Sequence, residues 1–352
     1  MLTNVNIKNF RGINKIEINN FKTINIFLGK NNCGKTSILE AVFLIIGMSN
    51  PVFNISINNF RDYIHHETDG FRLIFKDLDY DPPVEISARD KKNNIRQLEI
   101  RPFFSSKNGL QNSMQNKIST NSISDVHDIT GLKLNFSINK IKHEAKIEIN
   151  FQHPVNYNQV LSQKYDESYK ATYITPKINN LNLDKRIEKI IVNKKQDLLI
   201  SSLKNIDPNI TSISLGTNGR VYFDINGIDK LIPVNIMGDG VRRILSILTT
   251  IIDTKNGIVI IDEIENGLHY SSLFTLWESL LNAAIENNVQ IFISSHNYEI
   301  LKNLNDLVKN KDKATKDCIT CYSIKRTQKL IKAYQYNFDD FNNAITEGIE
   351  IR

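Results

Sequence analysis

Residues 24–40 read Ile24-Asn25-Ile26-Phe27-Leu28-Gly29-Lys30-Asn31-Asn32-Cys33-Gly34-Lys35-Thr36-Ser37-Ile38-Leu39-Glu40. An apolar run ends here at a polar loop that has a glycine on each side, and apolar residues then return at helical spacing. Residues Gly29 to Thr36 match the pattern G-x-x-x-x-G-K-[ST], in which the glycines allow backbone N–H groups to face phosphates. The stretch therefore predicts a phosphate-binding loop between a strand and a helix.

The side chains of this loop have different expected roles. Lys35 is expected to reach the β- and γ-phosphates of a nucleotide, and the hydroxyl group of Thr36 is expected to ligate Mg²⁺. The helix that begins near Thr36 would add the positive end of its dipole to the same anion site. The candidate nucleotide-binding residues of the loop are Gly29, Lys30, Asn31, Asn32, Cys33, Gly34, Lys35, Thr36 and Ser37.

The composition is typical of a globular protein with a substantial core. Of the 352 residues, 41% are hydrophobic and 23% are charged. The net charge of +6 permits contact with nucleic acid but is too small to indicate it. Three cysteines do not form a disulfide framework, which favours a reducing cytoplasm. The sequence shows neither a signal peptide nor an apolar run of about 20 residues, so no membrane association is expected.

Alternating apolar residues predict strands in the first half of the chain. The predicted strands up to the phosphate loop are 3–10, 13–18 and 24–28. From 52 to 170, short alternating segments separated by polar stretches predict an antiparallel sheet, with 71–75 as one of its strands. The polar stretch 105–128 predicts a long flexible loop.

The pattern becomes helical after this region. Apolar residues at helical spacing predict one helix over 183–206. Residues 221–225 and 230–234 flank Asn226-Gly227 and predict a hairpin. Gly238-Asp239-Gly240 then opens another helix, whose N-terminus is a second place that could face an anion.

Polar residues follow two buried strands in the last third of the chain. Residues 258–261 are apolar, as is typical of a strand covered on both faces, and Asp262 and Glu263 follow them. Asp262 is placed to hold Mg²⁺, and Glu263 to orient or deprotonate the attacking water of a phosphate hydrolysis. His296 follows the next strand, 289–295, and is a candidate sensor of the γ-phosphate. The alternatives are a solvated strand end for the carboxylates and a helix cap for the histidine.

These motifs together resemble those of ABC-type ATPases. The shared features are Ile7-Lys8-Asn9-Phe10-Arg11, the phosphate-binding loop, Gly238-Asp239-Gly240, Asp262-Glu263 and Ser295-His296. Within that group the chain resembles the overcoming-lysogenization-defect (OLD)-like ATPases and related stand-alone bacterial ATPases of phage-defence operons. The segments that carry this likeness are 237–245, 261–269 and 348–352.

The resemblance implies an α/β P-loop NTPase fold of the ABC type with a mixed central sheet and helices, and the apolar patterns add an antiparallel β lobe and a helical insert. It also implies ATP and Mg²⁺ as cofactors, and a homodimer or higher homo-oligomer with nucleotide at the interface. Gly238, Asp239 and Gly240 of one subunit would contact the γ-phosphate held by Lys35 of the other. Residues 265–269 would take the position of the family's D-loop, and Gln97 is a candidate for the Q-loop glutamine.

The resemblance, which covers the first 50 residues and the chain from about 220 onward, and the apolar patterns between them together divide the chain into four segments. Residues 1–50 would form the N-terminal part of the ATPase core, and 51–170 the antiparallel β lobe. Residues 171–234 would form the helical insert and hairpin, and 235–352 the C-terminal part of the core with the signature helix, Asp262-Glu263 and the histidine switch. The sequence stops where the toprim nuclease domain of OLD nucleases would begin, so we expect no nuclease in this chain.

Three functions are compatible with these features. The leading hypothesis is an ATPase whose nucleotide-driven dimerisation controls a separate effector protein, in anti-phage defence. The alternatives are a nucleotide-dependent scaffold with negligible hydrolysis, and a DNA-engaging ATPase of the recombination or repair type. The sequence lacks the Asn-Lys-x-Asp motif of guanine-binding proteins, which favours ATP over GTP.

Two further clusters are better explained without a ligand. Cys318-Ile319-Thr320-Cys321 has the spacing of half a zinc site, but no second pair completes it and the alternation suits a strand. His65-His66-Glu67 is interpreted as a polar loop. The expected metal ligands are therefore Thr36 and Asp262.

Overall fold

The computed structural model describes residues 1–63, 68–104, 129–150, 156–161, 165–177, 183–217, 219–269, 272–327, 330–349 and 351. The strands are β1 (Leu2–Phe10), β2 (Ile13–Ile18), β3 (Ile24–Leu28), β4 (Val84–Asp90), β5 (Ile95–Phe103), β6 (Gly131–Ile138), β7 (Ile141–Asn150), β8 (Asn156–Leu161), β9 (Ala171–Ile174), β10 (Ile210–Leu215), β11 (Val221–Ile225), β12 (Ile232–Pro233), β13 (Ile258–Ile261), β14 (Gln290–Ser295), β15 (Ile319–Arg326) and β16 (Ile331–Tyr336). The helices are α1 (Lys35–Ile46), α2 (Phe53–Asn59), α3 (Leu183–Val192), α4 (Asp197–Lys204), α5 (Asp239–Asp253), α6 (Leu273–Glu286), α7 (Tyr298–Val308), α8 (Lys313–Asp317) and α9 (Phe338–Thr346). None of the described helices is both long and apolar enough to cross a bilayer. The predicted loop 105–128 and His65-His66-Glu67 lie outside the described residues.

A six-stranded mixed sheet carries the phosphate-binding loop on an inner strand. Its strand order is β16-β15-β3-β14-β13-β9. Strand β3 runs parallel to both β14 and β15, and β13 runs parallel to β14 and β9, whereas β16 is antiparallel to β15. All residues of β3 and β13 are buried, as expected for strands that are covered on both faces. The mixed central sheet predicted for the ABC-type fold is confirmed.

A seven-stranded antiparallel sheet packs on the other side of α1. Its strand order is β2-β1-β4-β5-β6-β7-β8. Burial alternates along β4, where Val84, Ile86 and Ala88 join one apolar cluster with α1. Because α1 contacts both sheets, apolar residues are buried on all its sides. The predicted antiparallel β lobe is confirmed, and its sheet also includes the N-terminal strands β1 and β2.

The helices α3 and α4 form a layer with the small sheet β10-β11-β12. They pack against α5 and α6 in a second apolar cluster. The prediction of one helix over 183–206 is wrong, because α3 ends at Val192 and α4 begins only at Asp197. Lys194 between them has a φ of 54°, a left-handed conformation that interrupts a right-handed helix.

The strand predicted over 71–75 is also wrong. Residues Thr68–Ile74 form a 3₁₀ helix instead. Phe71, Ile74 and Phe75 are the buried residues, and their spacing of three and four positions matches one face of a helix. Such a short apolar stretch does not distinguish the two periodicities until its neighbours in space are known.

Candidate functional site

The phosphate-binding loop connects β3 to α1 and depends on two glycines. Gly29 and Gly34 have φ values of 149° and 107°, which residues with a Cβ atom rarely adopt. A Cβ atom on Gly29 would also lie 2.6 Å from the carbonyl oxygen of Ile324 in β15. Between these glycines lie the exposed residues Lys30, Asn31 and Asn32 and the buried Cys33. The glycines therefore allow the tight backbone curve that a phosphate cradle requires.

Lys35 places a positive charge inside this curve. Its Nζ donates hydrogen bonds to the carbonyl oxygens of Gly29 at 2.6 Å and of Lys30 at 2.9 Å. Helix α1 begins at Lys35 with no side-chain cap and no acidic residue in its first turn. The ammonium group and the helix N-terminus together favour an anion here. These residues fit the polyphosphate of a nucleotide.

Asp262 joins three segments at the end of β13. Its Oδ1 accepts hydrogen bonds from Thr36 Oγ1 at 3.2 Å and from Ser294 Oγ, and its Oδ2 accepts one from Tyr173 Oη at 3.3 Å. Burial raises the pKa of Tyr173, and the Asp262 charge raises it further, so the phenol stays a donor. The structure thus brings Thr36 and Asp262 together beside the loop. Hydroxyl and carboxylate oxygens of this kind fit Mg²⁺.

Glu263 follows Asp262 in an unusual backbone conformation. Its φ of 48° is left-handed, and its backbone N–H donates to Ser294 Oγ at 2.8 Å. A non-glycine residue in such a conformation costs on the order of 1–3 kcal/mol, and these residues concentrate at functional sites. The single hydroxyl group of Ser294 therefore contacts both the side chain of Asp262 and the backbone of Glu263.

Arg243 supports this turn from α5, although sequence reasoning gave it no role. Its guanidinium donates to the carbonyl oxygens of Thr175 at 2.6 Å, Asp262 at 3.2 Å and Glu263 at 3.1 Å. Burial lowers the pKa of Arg243 to about 10, and the nearby carboxylates oppose that shift. One sequence feature could have indicated a role for Arg243: it is a second arginine, beside Arg242, on a helix whose other buried positions are mostly apolar.

A buried carboxylate on α1 holds two further arginines. Glu40 is fully buried, and its oxygens lie 2.7 Å from Nε of Arg11 and 2.7 Å from Nε of Arg61. Burial raises the pKa of Glu40, and both guanidinium groups oppose the rise. Arg61 also donates to Ser37 Oγ at 3.4 Å, so this cluster touches the residue that follows Thr36. Sequence reasoning missed Glu40 and Arg61, because only the fold brings α2 beside α1.

His296 is anchored by a neighbouring carboxylate. Its Nδ1 lies 3.0 Å from Glu265 Oε1, which also accepts hydrogen bonds from the His296 backbone N–H at 2.8 Å and from Ser295 Oγ at 3.1 Å. The end of β14 is thereby tied to the segment after Glu263. The imidazole itself is exposed.

The predicted signature turn contacts its own helix α5 and the segment that follows Glu263. Gly238 is the N-cap of α5, Asp239 pairs with Arg242, and Gly240 packs near Gly267 and Leu268. Among the described residues, no hydrogen bond or ion pair joins the turn to the loop.

The remaining candidates lie elsewhere. Gln97, proposed for the Q-loop, lies in β5 and accepts a hydrogen bond from Ser137 Oγ at 3.2 Å. Cys321 is buried in β15, where burial raises the pKa of its thiol. No group of three or more His, Cys, Asp and Glu residues in the described ranges could hold a metal ion.

The phosphate-binding loop follows the inner strand β3, and β14 separates this strand from β13 in the sheet. Thr36, at the end of the loop, nevertheless contacts Asp262 at the end of β13. This arrangement defines the chain as a P-loop ATPase of the ABC type. The family described as "AAA domain, putative AbiEii toxin, Type IV TA system" matches residues 24–302. The chain belongs to this family.

Two individual relatives and one solved structure are also similar to this chain. An "ATP/GTP phosphatase" of Helicobacter pylori is 26% identical over 362 aligned residues, which cover 93% of this chain and 95% of that protein. A "DNA replication and repair protein RecF" of Francisella tularensis subsp. mediasiatica is 30% identical over 100 residues, 28% of each chain. The crystal structure of an Smc head bound to the C-winged helix domain of ScpA is similar over 96% of this chain and 98% of that chain, with 10% identity and a TM-score of 0.50. The structural likeness supports the fold.

Proposed function

We propose that the protein binds ATP with Mg²⁺, hydrolyses it, and uses nucleotide-driven dimerisation to control a separate effector protein. The observation that carries the catalytic part is the contact of Thr36 Oγ1 with Asp262 Oδ1 at 3.2 Å. This contact brings together the two predicted metal ligands, whose sequence neighbours are Lys35 and Glu263.

Each site residue has a role in this proposal. Lys35 and the N–H groups of the loop bind the phosphates, and Thr36 and Asp262 hold Mg²⁺. The bound metal would neutralise charge on the transferred phosphoryl group. Glu263 accepts a proton from the attacking water, and His296, oriented by Glu265, contacts the γ-phosphate.

The exposed signature turn supports the dimer. Gly238 and Asp239 are exposed, and the neighbouring Ile236 is 70% exposed although it is apolar. A second copy that placed its phosphate-binding loop here would cover this surface and complete the γ-phosphate site. A dimer would therefore be needed for turnover.

The effector part of the proposal rests on resemblance. The OLD-like pattern of 237–245 and 261–269 suggests an ATPase of anti-phage defence that acts in the cytoplasm. The family's description includes a putative toxin of a toxin–antitoxin system, which supports a function carried out with a second protein. Co-purification followed by mass spectrometry would identify that partner.

Substitution of Glu263 tests the catalytic proposal. In Glu263→Gln we expect turnover to fall roughly 10²–10⁴-fold, because the base is lost, while ATP binding is unchanged. Glu286→Gln, at an exposed helix end, is the matched control. Phosphate release and nucleotide binding are measured for both variants, with and without the co-purifying protein. Turnover that survives in Glu263→Gln would contradict the assigned base, and a wild type without turnover would favour the nucleotide-dependent scaffold.

A DNA-engaging ATPase is the second candidate function, and the similarity to RecF favours it. This similarity spans 28% of each chain, so it does not extend to the whole of either protein. DNA binding through phosphate contacts should weaken steeply as salt rises. A fluorescence titration at several salt concentrations measures this, and binding without salt dependence would exclude the candidate.

A further inference from the structure

The hairpin of β15 and β16 extends along the phosphate-binding loop. Strand β15 pairs with β3 as far as Ser323 and Leu28, where β3 ends, and it then continues to Arg326. Ile331, at the start of β16, reaches the loop from this hairpin, since a Cβ atom on Gly34 would lie 3.0 Å from its Cδ1. The end of the hairpin therefore lies beside the place where α1 begins.

Arg326 connects this hairpin to two other segments. Its Nη1 donates to the carbonyl oxygen of Asn32 in the loop at 3.2 Å, and its Nη2 donates to the carbonyl oxygen of Gly12 in the β1–β2 turn at 3.1 Å. Glycine at position 12 permits this approach, because a Cβ atom there would lie 2.9 Å from Nη2. Within the described ranges no carboxylate forms an ion pair with Arg326, so neutral acceptors hold its guanidinium in place.

The Arg326 guanidinium borders a cavity of 390 Å³ between the β1–β2 turn and the hairpin. Asn14, Leu330 and Ile331 also line the cavity. The volume falls within the range of about 300–1,000 Å³ that is usual for small-molecule sites. Planar guanidinium groups stack on aromatic rings, and Leu330 and Ile331 supply apolar contact. Such a lining suits a heterocyclic base better than a phosphate group.

We propose that this cavity binds the purine base of the nucleotide and that Arg326 is the group on which the base stacks. The inference rests on the proposed nucleotide site, because Ile331 lines the cavity and also lies beside Gly34, the residue before Lys35. It assigns a role in base binding to a hairpin that holds none of the proposed catalytic residues or metal ligands.

The same lining indicates which purines are accepted. The Thr327 hydroxyl group is engaged with the backbone of Leu330, and Asp77 pairs with Lys76 at an exposed position. Strong discrimination between bases requires buried polar groups that pair with one base and are left unpaired by the other. The described lining offers stacking and apolar contact instead of such buried polar groups. We therefore expect the cavity to accept adenine and guanine alike.

A second cavity, of 650 Å³, lies on the loop side of Arg326 and provides the matched control. Lys30, Asn31 and Lys325 line it, and its two lysines favour phosphate over a base. Lys325 directly precedes Arg326, and its Nζ lies 5.9 Å from the centre of the Tyr334 ring. Lys325→Ala therefore removes a neighbouring charge without altering the proposed base cavity.

The test compares three probes in the presence of Mg²⁺: non-hydrolysable analogues of ATP and of GTP, and inorganic tripolyphosphate. Affinities are measured by calorimetry for the wild type, Arg326→Ala, Arg326→Lys and Lys325→Ala. Loss of the stacking group should weaken both nucleotide analogues about tenfold in both Arg326 variants. Tripolyphosphate should bind within about twofold of wild type in both Arg326 variants, because it does not reach the base cavity. Lys325→Ala should weaken all three probes to the same extent, because it removes a charge from the cavity that favours phosphate.

Several results would overturn this inference. Equal loss of tripolyphosphate affinity in the Arg326 variants would mean that Arg326 only supports the loop. Loss of nucleotide affinity but not of tripolyphosphate affinity in Lys325→Ala, with both Arg326 variants unchanged, would place the base in the other cavity. A wild-type preference of more than about a hundredfold for one purine would contradict recognition by stacking. A wild type that binds tripolyphosphate and nucleotides equally retains the proposed phosphate site and refutes only the base cavity, whereas one that binds none of the probes refutes both.

Discussion

The edge of the six-stranded sheet that carries Asp262 and Ser294 contrasts with the outward face of the seven-stranded sheet, where polar residues line an open cavity of 790 Å³. At the site edge, Asp262 is 4% exposed and takes hydrogen bonds from residues of three separate segments. On the outward face, Glu85 pairs with Lys8 and Glu99 with Arg101, and these side chains are 30–50% exposed. The same residue types therefore occur in two very different surroundings.

Burial explains why these surroundings should respond differently to substitution. An exposed ion pair contributes little, because water solvates each charge nearly as well as its partner does. A buried polar group has lost that water, so removal of its partner leaves a large desolvation penalty. We therefore expect substitutions at the site edge to reduce stability or activity, and matched substitutions on the outward face to have small effects.

The largest stability difference is expected at Glu40. Glu40→Gln leaves the guanidinium of Arg11 buried without its counter-charge. The free energy of unfolding should fall by about 3 kcal/mol. This value is at the lower end of the range for breaking a buried ion pair, because the second partner, Arg61, is partly exposed. Glu85→Gln, on the outward face, should lose less than about 1 kcal/mol. Urea unfolding measures both, and equal losses would remove the distinction between the two regions.

Arg243→Met should have the next largest effect. The carbonyl oxygens of Thr175, Asp262 and Glu263 lose their shared donor, which should lower the free energy of unfolding by about 2 kcal/mol. Turnover should fall as well, because Glu263 loses its support. Arg101→Met on the outward face is the control, with a loss below about 1 kcal/mol. Denaturant unfolding and phosphate release would show whether stability and activity fall together, and wild-type turnover in Arg243→Met would argue against a positioning role.

A smaller and more specific effect is expected for Tyr173→Phe. The change removes one hydrogen bond to Asp262 and should lower stability by about 1 kcal/mol. Because the carboxylate proposed to hold Mg²⁺ loses an orienting partner, the Mg²⁺ concentration for half-maximal turnover should rise about tenfold. Tyr334→Phe removes an exposed hydroxyl group and should change neither quantity. An unchanged Mg²⁺ requirement in Tyr173→Phe would contradict the proposed metal ligand.

The smallest effect concerns pH on the outward face. Hydrogen bonds from Arg101 and from Asn135 lower the pKa of Glu99. Since the folded pKa lies below the unfolded one, Glu99 stabilises the fold above about pH 4.3, and this contribution is lost as pH falls through the folded pKa. Glu99→Gln should cost less than about 1 kcal/mol at pH 7. Urea unfolding of the wild type and of Glu99→Gln at pH 7 and pH 3 would measure this difference in stability. If the difference is as large at pH 3 as at pH 7, the charge of Glu99 is not its cause.

The fold class could be predicted from local sequence because its strongest signals are short. The run Ile24–Leu28, the glycines of the loop and the apolar residues Ile258–Ile261 are each recognisable within a few positions. The predicted strands before the loop match β1, β2 and β3 to within one residue at each end. Glu263, His296 and the signature turn could be named in the same way, and their roles stay predictions.

The supporting residues of the site could not be predicted, because they depend on which segments meet. Tyr173 reaches Asp262 only because β9 pairs with β13. Arg61 reaches Glu40 only because α2 packs on α1. Neither residue belongs to a motif with characteristic spacing. The errors at 71–75 and 183–206 have the same origin, because tertiary contacts and one left-handed residue overrode a weak local pattern.

The position of β3 has a consequence for how the protein is made. Its two neighbours, β14 and β15, come from much later in the sequence, so the strand before the phosphate-binding loop has no partner until Ser295 has been synthesised and lacks its second partner until Ser323 has been synthesised. Pairing between such distant segments is slow, because a long stretch of chain must close first. A nascent chain that ends before Ile319 would contain the complete loop sequence without β15, whose Ile324 carbonyl oxygen lies beside Gly29. Nucleotide could therefore act as a folding ligand only late in synthesis.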